Sequence, residues 1–169
     1  GVDAACVDAG DGTTTKAVQA FCVPRLRRKV FPIKGMAGNR PVIERVGGQS
    51  KAAKRLWIVG VDTAKHQLFN RAARGDTLRF SADLPAVWFD QFASERVVVR
   101  YRKGQPTRSF ERISGRAAEA LDCSVYALAA RQMIAPDFPA RRAELSGAAP
   151  PPARKAAVLQ SSWMARDKR

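Results

Sequence analysis

Apolar positions along this chain fall into short runs separated by Gly-, Pro- and Asp-containing breaks, and the runs follow two different periods. Val2 to Val7 are small and apolar and lead into Asp8-Ala-Gly-Asp-Gly, which reads as a strand ending in a Gly-rich turn with an acid at its exit. Val18, Phe21 and Cys22 recur at helical spacing until Pro24, and Lys29 to Lys34 reads as a second buried strand, so the opening segment predicts a β-α-β unit. Gly35, Gly38, Asn39 and Pro41 mark a loop. Val42 to Val46 and Leu56 to Val59 then read as the two arms of a long hairpin around Gly47-Gly48, with Lys51, Lys54 and Arg55 making its tip basic.

Asp62 has the position of an N-cap for a helix from Thr63 to about Ala73, with Ala64, Leu68 and Ala72 on one face. Arg79-Phe80 reads as a short strand, Pro85 as the first turn of a helix running from Val87 through Ala93, and Val97 to Tyr101 as a strand before a Lys103-Gly104 turn. The clearest helix is Arg116 to Ile134, where Leu121, Val125, Leu128 and Ala129 form an apolar stripe, alanines supply propensity, and Pro136 ends the run. From Pro139 onward the chain is rich in Pro, Ala and Arg, periodicity disappears until Trp163 and Met164, and the composition reads as a mobile basic tail. The expected division is a domain over residues 1–135 and a flexible tail over 136–169, with Trp163 as a possible anchor for a partner.

Composition narrows this picture. The 169 residues suffice for one domain with a tail and are too few for an additional ATPase domain, and no P-loop pattern occurs among them. An opening Gly in place of Met, inside what reads as a strand, is expected of a fragment. No apolar stretch is long enough to span a bilayer and no signal-peptide pattern opens the chain, so a protein without a membrane association is expected. Thirty Lys and Arg against fifteen Asp and Glu give a net charge of +15, a field that draws in polyanions and makes nucleic acid the leading partner. The clusters Arg25, Arg27, Arg28 and Lys29, then Lys51, Lys54 and Arg55, then Arg100, Arg102 and Lys103 are candidates for gripping a DNA backbone, although each alone also fits a solvated face. Cys6, Cys22 and Cys123 lie in apolar runs without CxxC spacing, which predicts buried free thiols and a reducing compartment.

Candidate chemistry rests on two acids in apolar surroundings: Asp8 at the strand exit, and Asp122 among Ala120, Leu121, Cys123 and Val125. A carboxylate facing such packing is costly unless something positive meets it. If the long helix packs beside the first strand, both carboxylates approach one point near that strand's C-terminal end, where a divalent cation would compensate them. Oxygen-only ligands suit Mg²⁺ or Mn²⁺, ions that activate water against a phosphodiester. The alternatives stay open at this level: Asp8 as a turn aspartate bonding its own backbone, Asp122 as an exposed residue on the helix's polar edge. His66 is the single histidine, which nearly excludes a His-based triad or a multi-histidine zinc site and leaves it to decorate a helix surface. Trp57, Trp88 and Phe89 interleave with aliphatics and read as core residues in preference to base-stacking platforms.

Four pieces in order resemble the C-terminal nuclease domain of the lambda-type (GpA family) bacteriophage terminase large subunit. They are Asp8-Ala-Gly, Ile33-Lys34-Gly35, Gly60-Val61-Asp62-Thr63-Ala64-Lys65 and Glu119-Ala-Leu-Asp-Cys-Ser-Val-Tyr-Ala-Leu-Ala-Ala130, spread over about residues 1–134. The resemblance implies an α/β, ribonuclease-H-like nuclease fold, a central mixed sheet flanked by helices, lacking its N-terminal strand or strands. It also implies an endodeoxyribonuclease that cuts concatemeric viral DNA during genome packaging in the bacterial host cytoplasm, using Mg²⁺ or Mn²⁺. Partners implied are double-stranded viral DNA, a terminase small subunit, a portal protein and an ATPase domain upstream. By motif, Asp8 is similar to the family's second-strand acid and Asp122 to its helix acid, both catalytic and metal-binding, while Asp62 and Lys65 fall in a shared motif without an assigned role beyond capping and salt-bridging.

Two departures qualify the match. The family's first catalytic aspartate lies in a Gly-Val-Asp strand well upstream of the Asp8-type motif, and Asp3, five residues before Asp8, would sit on the opposite face of one strand. The Arg-Asn-Glu that precedes Ala-Leu-Asp-Cys in the family is Ala117-Ala118-Glu119 here, with Arg116 displaced. The competing reading is a nuclease-inactive prophage remnant or a DNA- or portal-docking module.

Overall fold

The computed structural model describes residues 2–45, 56–75, 77–102 and 104–147. The hairpin tip with Lys51, Lys54 and Arg55, the Lys103 position and Trp163 lie outside the described residues, as does the side chain of Arg102. Two compact units, Gly1–Ala135 and Pro136–Arg169, divide the chain.

In the first unit, strand β1 (Ala5–Asp8) leads through helix α1 (Thr15–Cys22) and a 3-10 helix (Val23–Arg28) to strand β2 (Val30–Met36). The strands pair in parallel from Ala5 opposite Val30 to Asp8 opposite Ile33, the β-α-β unit expected from the alternating periods. The turn before α1 is built from short polar side chains: the Asp11 carboxylate accepts from the Thr13 N–H and hydroxyl, and the Thr15 hydroxyl donates to the Ala9 carbonyl. Strands β3 (Ile43–Arg45) and β4 (Trp57–Gly60) pair antiparallel, as the hairpin reading has them, and β4 runs parallel to β2. The resulting four-stranded mixed sheet has the order β1-β2-β4-β3. Gly60 is needed at the end of β4, because a Cβ there would stand 2.3 Å from the Pro41 carbonyl oxygen.

Side chains alternate across a sheet, so the register places Cys6, Asp8, Phe31, Ile33, Gly35, Trp57 and Val59 on one face. That face carries the core. Ile33 and Val59 pack with Ala64 and Leu68 of helix α2 (Val61–Arg74) and with Leu121, Val125 and Ala129 of helix α4 (Glu119–Ile134). On the opposite face Pro32 is fully buried beside the 3-10 helix and α1, and Cys22 at the end of α1 is also buried. The architecture is therefore α/β, with a mixed sheet flanked by helices, consistent with the ribonuclease-H-like class.

Several local expectations are corrected. Helix α2 starts at Val61 with Gly60 as its N-cap, so Asp62 sits inside the first turn; the capping geometry goes to the glycine because the strand runs directly into the helix. Arg79-Phe80 is not a strand: Phe80 turns into an aromatic cluster with Trp88, Phe89 and Phe92 on helix α3 (Ala86–Phe92), at centroid distances of 5.1, 5.7 and 5.3 Å, so ring packing and not strand pairing fixes it. Pro85 is the residue capping α3. The strand expected over Val97 to Tyr101 is the centre of β5 (Glu95–Arg102), which turns at Gly104 into β6 (Gln105–Arg112), forming a two-stranded ribbon separate from the main sheet. The long helix begins at Glu119, three residues later than its composition suggests, after Ala118. In the second unit, described by itself, Phe138–Leu145 forms helix α5 where periodicity gave no element; Asp137 caps it by accepting from the Ala140 N–H at 3.0 Å. No helix among the described residues is long and apolar enough to cross a membrane.

Candidate active site

Asp8 is the last residue of β1, at the carboxyl edge of the parallel strands, where open α/β sheets expose their ligand-binding crevices. Its two carboxylate oxygens are held separately. Oδ1 accepts from the Gly10 N–H at 2.7 Å, the turn-aspartate role open from the sequence, and Oδ2 accepts from the Tyr126 hydroxyl at 2.9 Å. Tyr126 reaches it because α4 lies over the sheet and because Gly35 of β2 leaves room. A Cβ at Gly35 would stand 3.1 Å from the Tyr126 hydroxyl oxygen and 3.0 Å from Val61 Cγ1, so a larger residue there would press the phenol away from Asp8.

Asp122 lies four residues before Tyr126 on α4, a spacing that puts both on one helix face. Asp8 accepts the hydrogen bond of this phenol, and the charge of Asp122 acts on it as well. Tyr126 is held protonated well above its usual range by burial first, then by the Asp8 charge and hydrogen bond, and by the charge of Asp122. Burial also pushes the Asp122 carboxyl upward, opposed by the positive charges of Lys65 and Arg112 and reinforced by Glu95 and Glu119. Arg112, from the base of the ribbon, stands 3.7 Å from Asp122 Oδ2, close enough for ion pairing and too far for a hydrogen bond. Behind it Lys65 and Glu95 form an ion pair of 2.6 Å whose side chains are only 9% and 7% exposed.

Of the acids chosen from sequence, Asp8 holds the Tyr126 hydroxyl and Asp122 stands one helical turn before Tyr126 on α4. Lys65 faces the same region but is occupied by Glu95, the salt-bridging option of its motif. Asp62 is turned to the loop after β2, where its Oδ2 accepts from the Gly38 N–H at 2.7 Å, so it pins that loop to the start of α2. Arg27 and Arg28 are exposed at the end of the 3-10 helix. Sequence reasoning missed Tyr126, Glu95 and Arg112. Tyr126 had a usable signal, an i,i+4 spacing from Asp122 inside the quoted motif; Glu95 and Arg112 had none, since their importance comes from ribbon pairing directly opposite one another. His66 does not decorate a surface: its ring packs 4.7 Å from Phe110, because β6 covers that side of α2. The cysteines are free, but Cys123 is exposed and not buried, since it follows Asp122 on the outer side of α4. The Cys6 thiol is pushed up to about 11 by burial and by Cys22 nearby, which leaves it unreactive at neutral pH.

Carboxylate oxygens such as those of Asp8 and Asp122 are hard ligands of the kind that hard cations take, and Arg112 sets a positive charge beside Asp122. A family model described as the endonuclease domain of the terminase large subunit gpA matches residues 1–143. No curated protein and no solved structure matches the chain.

Proposed function

Since the chain belongs to the terminase large subunit gpA endonuclease family, we propose that it hydrolyses phosphodiester bonds of double-stranded viral DNA, cutting concatemers during packaging, with Asp8 and Asp122 holding Mg²⁺ or Mn²⁺. The observation that carries this reading is the Tyr126 hydroxyl, hydrogen-bonded to Asp8 and influenced by the charge of Asp122, which ties a strand-end acid to a helix acid. The donor set fits the ion. Both ligands are hard oxygens, Asp122 carries a charge that its burial disfavours, and Mg²⁺ is commonly bound through one or two carboxylates with the remainder of its shell water. Among the described residues no group of three or more His, Cys, Asp or Glu is gathered for a metal, so the two aspartates would carry the protein's share. A divalent ion held there supplies Lewis acidity toward the phosphate and lowers the pKa of water.

The chain's own residues have separable tasks. Gly10 and Tyr126 fix the orientation of Asp8 through one oxygen each. Arg112 is placed to meet a phosphate arriving beside Asp122, and the Lys65–Glu95 pair anchors the ribbon that presents it. Residues 1–135 then form the nuclease domain and 136–169 a basic tail, within a protein whose upstream ATPase, small subunit and portal partners act with it in the host cytoplasm. Supercoiled-plasmid nicking in Mg²⁺ or Mn²⁺ tests the proposal. Wild-type chain is expected to nick, and Asp122→Asn to slow nicking by about two orders of magnitude or more; equal nicking by both proteins contradicts the assignment, and DNA binding without any nicking favours a docking module.

A further inference from the structure

The β5–β6 ribbon is built like no other element of the described residues. Eight residue pairs from Glu95 opposite Arg112 to Arg102 opposite Gln105 give it a length of about 27 Å at the usual rise. One face starts in the core: Glu95 is buried against Lys65, and Phe110 stacks on Phe69 at 5.7 Å. Further out, the same face leaves the core. Val97 and Val99 are each 48% exposed and Tyr101 is 75% exposed, with exposed Arg108 directly across from Val99 and Pro106 across from Tyr101.

Charge decides what this outer face fits. Between Glu95 and Arg112 the sequence carries five arginines and Lys103 against two acids. Both acids are already matched, Glu95 by Lys65 and Glu111 by Arg100. What remains on offer on this face is positive: Arg108 exposed across from Val99 and Arg112 at its foot beside Asp122, while exposed Arg96 lies on the opposite face. An arginine stands opposite the middle apolar residue, and with both acids of the ribbon already matched its unmatched charge is all of one sign, which fits a polyanion. A twisted two-stranded ribbon is also of a width that a DNA major groove admits, and arginine beside tyrosine and proline matches phosphate beside sugar.

We propose that the β5–β6 ribbon is the duplex-binding arm of the site, lying along the DNA with Arg108 on a phosphate, Tyr101 and Val99 against the sugars, and its base delivering the backbone to Asp122 and Asp8. This deepens the nuclease reading and rests on it for the identity of the substrate. It also makes the alternation of the ribbon functional: the inner half anchors, the outer half binds.

Fluorescence anisotropy of a short labelled duplex, measured in EDTA so that no cutting occurs, tests the arm with the full chain. The variants are Tyr101→Ala/Arg108→Gln on the ribbon and Arg74→Gln at the end of α2 as a charge control, all at exposed positions, with thermal melts to verify folding. We expect the ribbon variant to bind at least about tenfold more weakly and to lower the salt dependence of log K by about one, while Arg74→Gln changes affinity by about twofold or less. Ribbon-variant binding as tight as wild type, or a loss no greater than that of Arg74→Gln, overturns the arm and leaves the apolar strip to a protein partner. The two readings separate cleanly. Ribbon-dependent binding by a chain that never nicks plasmid overturns the nuclease alone, and nicking by a chain whose ribbon variant binds normally overturns the arm alone.

Discussion

Asp122 holds a charge that its surroundings resist, and that tension is the residue-level signature of the site. Its carboxyl is raised by burial despite Lys65 and Arg112, so its folded pKa lies above the unfolded one. The associated stability is fully present below the ordinary carboxylate range and is lost as pH rises through the folded pKa. At neutral pH the ionised side chain therefore works against folding, and Asp122→Asn should melt at a higher temperature than wild type near pH 7, with the advantage shrinking as the pH is brought below the carboxylate range. Thermal melts of both proteins across that range check the sign; an Asn variant less stable at pH 7 would mean the Arg112 contact outweighs burial. Asp8 and Asp122 were legible as candidates because each acid interrupts an apolar run, and such interruptions need a compensating partner. Tyr126 carried only the weaker signal of its i,i+4 spacing from Asp122, because a phenol within an alanine-rich helix has the appearance of core until its hydroxyl is seen 2.9 Å from Asp8.

Between elements, the Lys65–Glu95 pair joins α2 to the first residue of β5. Removing one partner from a buried pair leaves the other charge uncompensated, a loss of about 3–5 kcal/mol. Lys65→Met should therefore lower stability by that order in urea denaturation, and Lys65→Met/Glu95→Leu should recover much of it, since apolar replacement of both partners removes the stranded charge. A double variant as unstable as the single one would show that the pair contributes more than charge balance. The β-α-β unit and the β3–β4 arms were readable because period-two and helical spacing were clean there. The second ribbon strand was not: Gln105 to Arg112 is largely polar on both faces, so its pairing is dictated by β5 across the Gly104 turn. Phe80 misled in the opposite sense, a β-forming residue whose aromatic neighbours on α3 hold it in a loop.

At the scale of the whole molecule, a net charge of +15 pointed to a polyanion without saying where it binds. The fold sets Asp8 at the carboxyl edge of the sheet and roots an arginine-bearing ribbon beside Asp122. The proposed cation between the two acids would neutralise them on an otherwise positive molecule that DNA would cover. The most direct measurement is a Mn²⁺ titration of the metal-free protein followed by electron paramagnetic resonance, on wild type, Asp8→Asn and Asp122→Asn. We expect Mn²⁺ to bind wild type and each single variant to lose affinity by at least about tenfold. Binding by either variant with wild-type affinity would contradict the claim that the two carboxylates beside Tyr126 share the ion.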